Sequence, residues 1–170
     1  MTEQEQIQWC IDQHRNTNHY YDKYLPYEFH LRMVAQVAED FQYLLQPGAM
    51  SIIIVACYGH DLIEGTRCLY NDCKERLGYA VADIIYALTN EKGRNRAERG
   101  NDKYYAGINA IPGAIFVKLC DRIANVQYSK LTKSKMFEMY EKENEKFKDY
   151  IYDPDFKQMF DYLDSLFDVK

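Results

Sequence analysis

Residues 51–61 read SIIIVACYGHD, an almost wholly apolar run that ends on an imidazole beside a carboxylate. A segment apolar on every side must be buried on every side, so the rest of the chain has to wrap around it. Composition alone would allow a buried strand. The length of the run, and its continuation through HDLIE, favour a buried helix over residues 50–63. His60 and Asp61 then sit near the end of a buried element, where neighbouring side chains can turn toward one point. Both side chains are ligands for first-row metal ions.

The remaining pattern is helical nearly throughout. Residues 3–14 read as a short opening helix and 15–27 as a polar, tyrosine-rich loop punctuated by Pro26. Phe29, Met33, Val34, Val37, Phe41, Leu44 and Leu45 recur at helical spacing over 28–45, with His30 in the first turn and Pro47-Gly48 as the stop. Asn71 is the expected N-cap of a helix over 72–89. Pro112-Gly113 opens another, to about residue 128, and further helices are expected over 133–150 and after Asp153-Pro154. The stripe on 133–150 offers a packing or self-association face. No strand pair and no repeat is expected. The fold class is all-α, a single domain over 1–170 with residues 131–170 packing on the rest.

Two more residues share the setting of His60-Asp61. His30 follows LPYEF, and Asp121 follows the apolar run GAIFVKLC. Two imidazoles and two carboxylates suit manganese, iron, zinc or magnesium and leave positions open for water or a phosphoryl oxygen. A plainer reading also exists. His30 could pack, His60 could be a satisfied core histidine, and Asp121 could pair with Arg122. The joint occurrence of all four at apolar helix boundaries favours the metal.

The order H…HD…D, in the contexts LPYEFH, ACYGHDLIEGT and FVKLCDRIANV, resembles the HD-domain metal-dependent phosphohydrolases. Within them it is most similar to the RelA/SpoT-type guanosine tetraphosphate hydrolase domains and their small stand-alone relatives. The resemblance covers roughly residues 20–130. It implies an HD-type helical bundle in which His30, His60, Asp61 and Asp121 hold one divalent ion, typically manganese. It further implies that Glu64, with Asp61, serves catalysis by activating water, and that Asn125 helps hold the substrate. Lys23 lies where relatives carry basic residues. The implied activity is hydrolysis of a nucleotide, guanosine 3′,5′-bis(diphosphate) 3′-pyrophosphohydrolysis being the specific form. A phosphatase releasing orthophosphate and a non-hydrolysing nucleotide-binding domain stay open as alternatives. The third exists because Gly65 stands where the family has a second carboxylate after Glu64.

Residues 91–103 gather Lys92, Arg94, Arg96, Arg99 and Lys103 in a chain of net charge -5. The segment reads as a solvated loop by composition. Placed between the HD pair and the last Asp, it also reads as a phosphate-gathering segment, with Arg99, Lys103, Tyr104 and Lys92 as candidate substrate contacts. The acidic balance argues against DNA or RNA as partner and leaves room for a small anionic nucleotide. Five cysteines without a C-x-x-C read as free thiols of a reducing cytoplasm. The N-terminus is too polar for a secretory signal, and the longest apolar run is too short for a membrane span. His14 and His19 read as polar-loop residues without a role.

Overall fold

The computed structural model describes residues 1–168. The run at 51–58 is the centre of the molecule. It forms α3 (Met50–Gly59), in which Ile53 through Gly59 are all buried. Around it pack α1 (Glu3–Asn16), α2 (Glu28–Asp40), α6 (Tyr79–Leu88) and α9 (Ala114–Leu131). α9 is the longest helix and buries Phe116, Leu119 and Ile123 completely. Each such side chain contributes about 1.5–3 kcal/mol by leaving water, so α9 is a rigid support for what it carries. α10 (Met136–Ile151) and α11 (Lys157–Phe167) lie against α9. Among the described residues no helix is long and apolar enough to cross a membrane.

Several boundaries differ from the sequence reading, each for a local reason. The helix expected over 50–63 breaks at His60-Asp61 and resumes as the single turn α4 (Leu62–Gly65). The His60 Nδ1–H donates to the Cys57 carbonyl at 2.7 Å, which satisfies a helix-end acceptor with a side chain. The helix expected over 28–45 ends at Asp40, and a 3-10 turn at Gln42–Leu44 carries the chain onward. The helix expected over 72–89 is two: α5 (Tyr70–Leu77) and α6, separated by Gly78 at φ 89°, a left-handed value that favours glycine. Asn71 lies inside α5 rather than at its cap. Leu69 precedes the helix, and its N–H donates to Asp72 Oδ2 at 2.8 Å.

The loop at 15–27 holds a small antiparallel pair, β1 (Tyr20–Tyr21) with β2 (Leu25–Pro26), where no strand was expected. Alternation over two residues is too short to register as a pattern. The basic segment contains the single turn α7 (Arg96–Arg99), and α8 (Asp102–Ala110) follows it at once. Asn95 and Asn101 cap these two by accepting from Glu98 N and Tyr104 N. All five cysteines are buried free thiols.

Candidate metal centre

His60 leaves α3 with its ring orientation already set. Because Nδ1 donates to Cys57, Nε2 is the nitrogen that faces inward. It lies 3.0 Å from Asp61 Oδ2 and 3.4 Å from Asp121 Oδ1. From the first turn of α2, His30 brings Nε2 to 3.1 Å from Asp121 Oδ1 and 3.8 Å from Asp61 Oδ2. The structure therefore gathers all four residues predicted as ligands. The tightest group is His30, His60 and Asp121, whose ligand atoms all lie within 4.8 Å of one another.

These residues fit a cation. His60 Nε2 is buried and has no hydrogen-bond partner, although two carboxylate oxygens stand close to it. With its proton on Nδ1, a neutral His60 aims a lone pair at two anions, an arrangement that calls for positive charge between them. Burial opposes charging the ring, yet Asp61 and Asp121 outweigh burial and raise His60 well above the usual imidazole value, so that without an ion a proton on Nε2 fills the place between ring and carboxylates that a cation would take. Burial likewise opposes the Asp121 anion, and Lys118, His30 and His60 overcome it and hold the carboxyl well below its normal range. Two imidazoles with carboxylates form a donor set suited to a first-row divalent ion.

Other groups orient this set. Asp121 Oδ1 accepts from Asn125 Nδ2 at 2.8 Å and Oδ2 from Lys118 Nζ at 3.1 Å. The cation paired with Asp121 is thus Lys118, one helical turn away, rather than the adjacent Arg122. Arg122 turns to Glu143 at 3.2 Å and lies over the Phe147 ring. Tyr27 donates its hydroxyl to Asp61 Oδ2. Tyr21 stacks on His30 and donates to Asn125 Oδ1 at 2.8 Å. Glu64 borders the same space, and its Oε1 accepts from the Asn90 N–H. Partial burial, and then the charge of Asp61, raise the Glu64 carboxyl above its ordinary value.

Two cavities meet here. The smaller, about 210 Å³, is lined by the four candidate ligands, Glu64 and Asn125. The larger, about 460 Å³, adds Arg99, Lys146, Met139, Phe147 and Tyr150. Asn90, Arg96, Tyr104, Lys118 and Arg122 line both. Of the predicted substrate contacts, Asn125 lies at the small cavity, Arg99 at the large one and Tyr104 at their junction. Tyr104 is buried, with its hydroxyl on the Leu88 carbonyl at 3.1 Å. Lys103 is exposed and pairs with Glu91 at 3.5 Å. Lys92 and Lys23 are exposed, Lys23 at the turn of the β1–β2 pair, and none of these three lysines lines either cavity.

Tyr21, Tyr27 and Lys118 escaped the sequence analysis, and Arg122 entered it only as an alternative partner of Asp121. For Lys118 and Arg122 a signal was present, since both fall on the α9 face that carries Asp121 and Asn125. Tyr21 had none, because its place depends on a hairpin too short to see. His14 corrects an expectation. It is buried in the last turn of α1 rather than a polar-loop residue, and its Nδ1 lies 2.9 Å from His19 Nδ1.

No family model matches the chain. It is 26% identical over 125 residues to the guanosine-3′,5′-bis(diphosphate) 3′-pyrophosphohydrolase MESH1 of Danio rerio, a match covering 72% of this chain and 66% of that one. The match thus spans just under two thirds of that relative's length. Its fold aligns, at a TM-score of 0.72 and 17% identity, with a solved structure described as a metazoan ortholog of SpoT that hydrolyzes ppGpp and plays a role in starvation responses. That alignment covers 95% of this chain and 92% of the other. The chain is thus similar in sequence to that hydrolase over part of its length, and it shares the all-α fold of the solved structure.

Proposed function

We propose that the chain is a metal-dependent phosphohydrolase that acts on a nucleotide, with guanosine 3′,5′-bis(diphosphate) as substrate and pyrophosphate as product. The observation that carries this reading is the convergence of His30, His60 and Asp121 in a small polar cavity that opens into a larger cationic and aromatic one. The curated relative from Danio rerio carries that activity in its name. The small cavity suits the reacting phosphoryl group, and the larger one has room for the rest of a nucleotide.

His30, His60, Asp61 and Asp121 would hold the ion, manganese being the one the family resemblance implies. When bound, the ion supplies a Lewis acid that polarises a phosphoryl oxygen and acidifies water. Glu64 accepts the proton of the attacking water. The Asn90 N–H occupies its Oε1 and leaves Oε2 for that task, and a raised carboxyl pKa brings it closer to the working range of a general base. Water adds to phosphorus, the bond to the ribose 3′ oxygen breaks, and that oxygen takes up the proton as pyrophosphate departs. Lys118, beside Asp121, offsets charge that develops on the phosphoryl oxygens. Asn125 holds the Asp121 carboxylate and offers a contact to substrate. Arg99 and Lys146, on the wall of the larger cavity, meet a second anionic group of the nucleotide.

The test is product analysis with manganese present. Pyrophosphate release from guanosine tetraphosphate, abolished by Asp61→Ala, is the expected result. Orthophosphate alone would assign the chain to another class of nucleotide phosphatase. No turnover with the ion demonstrably bound would leave a binding domain and overturn the hydrolase.

A further inference from the structure

Gly65 sits beside the metal centre with no side chain, and the space that a side chain would occupy is filled. A Cβ built there overlaps the His19 ring, at Cε1 and Nδ1, and lies 3.4 Å from His14 Cε1. The two imidazoles come from the end of α1 and the segment that follows it, and their Nδ1 atoms are 2.9 Å apart. One must donate and the other accept, so the pair forms with a single proton between the two nitrogens. Both rings stack on Tyr27, with centroids at 4.6 Å for His14 and 3.8 Å for His19. Tyr27 is the residue whose hydroxyl reaches Asp61 Oδ2.

From this continuity we propose that His14 and His19 are positioning residues, which fill the space left by Gly65 and hold Tyr27 so that its hydroxyl fixes the Asp61 carboxylate at the metal centre. The inference rests on the reading of Asp61 as an ion ligand and does not require turnover. Two further observations agree with it. His14 Nε2 is buried without a hydrogen-bond partner, an unfavourable state that an apolar residue would avoid. Burial also pushes His14 down to about 3, so its ring stacks on Tyr27 as a neutral imidazole. An imidazole pair here gives a neutral donor and acceptor where a carboxylate would add a third negative charge close to Asp61 and Glu64.

The pair and residue 65 compete for one space, and this makes the inference testable by compensation. Mn2+ affinity is measured by calorimetry on the full chain, with circular dichroism to confirm folding. Gly65→Asp alone displaces His19 and weakens Mn2+ binding by about 10–100-fold, the usual effect of losing a residue that orients a ligand. His19→Ala and Tyr27→Phe each weaken it by about tenfold, and the two together by no more than one alone, because they act in one chain. The Gly65→Asp/His19→Ala double variant, relieved of the clash, binds Mn2+ more tightly than Gly65→Asp.

Gly65→Asp that folds and binds Mn2+ as well as the wild type overturns the inference. So does additivity of His19→Ala with Tyr27→Phe, or a His19→Ala protein that loses melting temperature and keeps its Mn2+ affinity. A wild type that binds Mn2+ without turnover overturns the hydrolase alone. A wild type that binds no Mn2+ overturns both.

Discussion

Two pairs of histidines reach the interior, and they differ in their company. His30 and His60 cross with ring centroids 5.3 Å apart and turn their Nε2 atoms to Asp61 and Asp121 at the edge of a cavity. His14 and His19 lie 5.1 Å apart, turn their Nδ1 atoms to each other and stack on Tyr27. Burial is common to His14, His30 and His60, so burial of a histidine does not by itself mark a ligand. Facing carboxylates are what set the candidate ligands His30 and His60 apart from His14. The contrast also shows how one region can serve the other, since Tyr27 touches both pairs and ends on Asp61.

The largest expected effect tests the first pair. Asp121→Ala removes the acceptor shared by His30, Lys118 and Asn125. Turnover and Mn2+ affinity should each fall by more than about 10²-fold, the upper range for residues that only orient ligands. A thermal melt gives a second measure. In the wild type, Mn2+ at about 100 times its Kd should stabilise the fold by about 2.7 kcal/mol, and in Asp121→Ala the same concentration should leave the melting temperature unmoved. Variants of the second pair should keep part of the Mn2+-dependent shift. If His19→Ala abolished it as fully as Asp121→Ala does, the division between ligands and positioning residues would collapse.

A smaller effect separates two cations of the basic segment. Arg99 lines the larger cavity, whereas Lys103 is exposed beside Glu91. Arg99→Ala should raise KM about tenfold with kcat little changed, as expected for loss of one charge-assisted hydrogen bond of about 1.5–3 kcal/mol made equally in ground and transition states. Lys103→Ala should leave both constants within about twofold, because exposed ion pairs contribute about 0–1 kcal/mol. The reverse order, read from steady-state kinetics, would mean that the segment closes over substrate in another way.

The helices and the four candidate ligands were legible because each leaves a signal within a few residues. The apolar face of α9 recurs at helical spacing up to Asp121, and His60-Asp61 ends a run that has to be buried. What the sequence hid depends on distant segments meeting. His14 and His19 belong to one polar stretch, and only the folded chain brings them against Gly65, about fifty residues on. The break after Gly59 was hidden for a different reason. It coincides with a side-chain bond from His60 to the Cys57 carbonyl, and hydrophobic periodicity does not register such a contact. Lys92, Arg99 and Lys103 looked equivalent as charges. Their difference lies in the turn of α7, which sets Arg99 on the cavity wall.

The smallest expected effect concerns the β1–β2 hairpin. Lys23 sits exposed at the turn of the β1–β2 pair, where Asp22 at φ 56° accepts a hydrogen bond from the Tyr128 hydroxyl at 2.8 Å and ties the hairpin to α9. No described hydrogen bond or ion pair orders the lysine itself, so its side chain keeps its rotamer freedom and gives little of it up in the apo fold. Lys23→Ala should therefore change stability by less than about 0.5 kcal/mol, the usual range for a surface position without special contacts. KM should move by no more than about twofold, which is what the same free energy amounts to in binding. A tenfold rise in KM for Lys23→Ala, with Arg99→Ala near neutral, would put the anionic end of the substrate at the hairpin. The larger cavity would then be the entrance to the metal centre rather than the seat of the nucleotide.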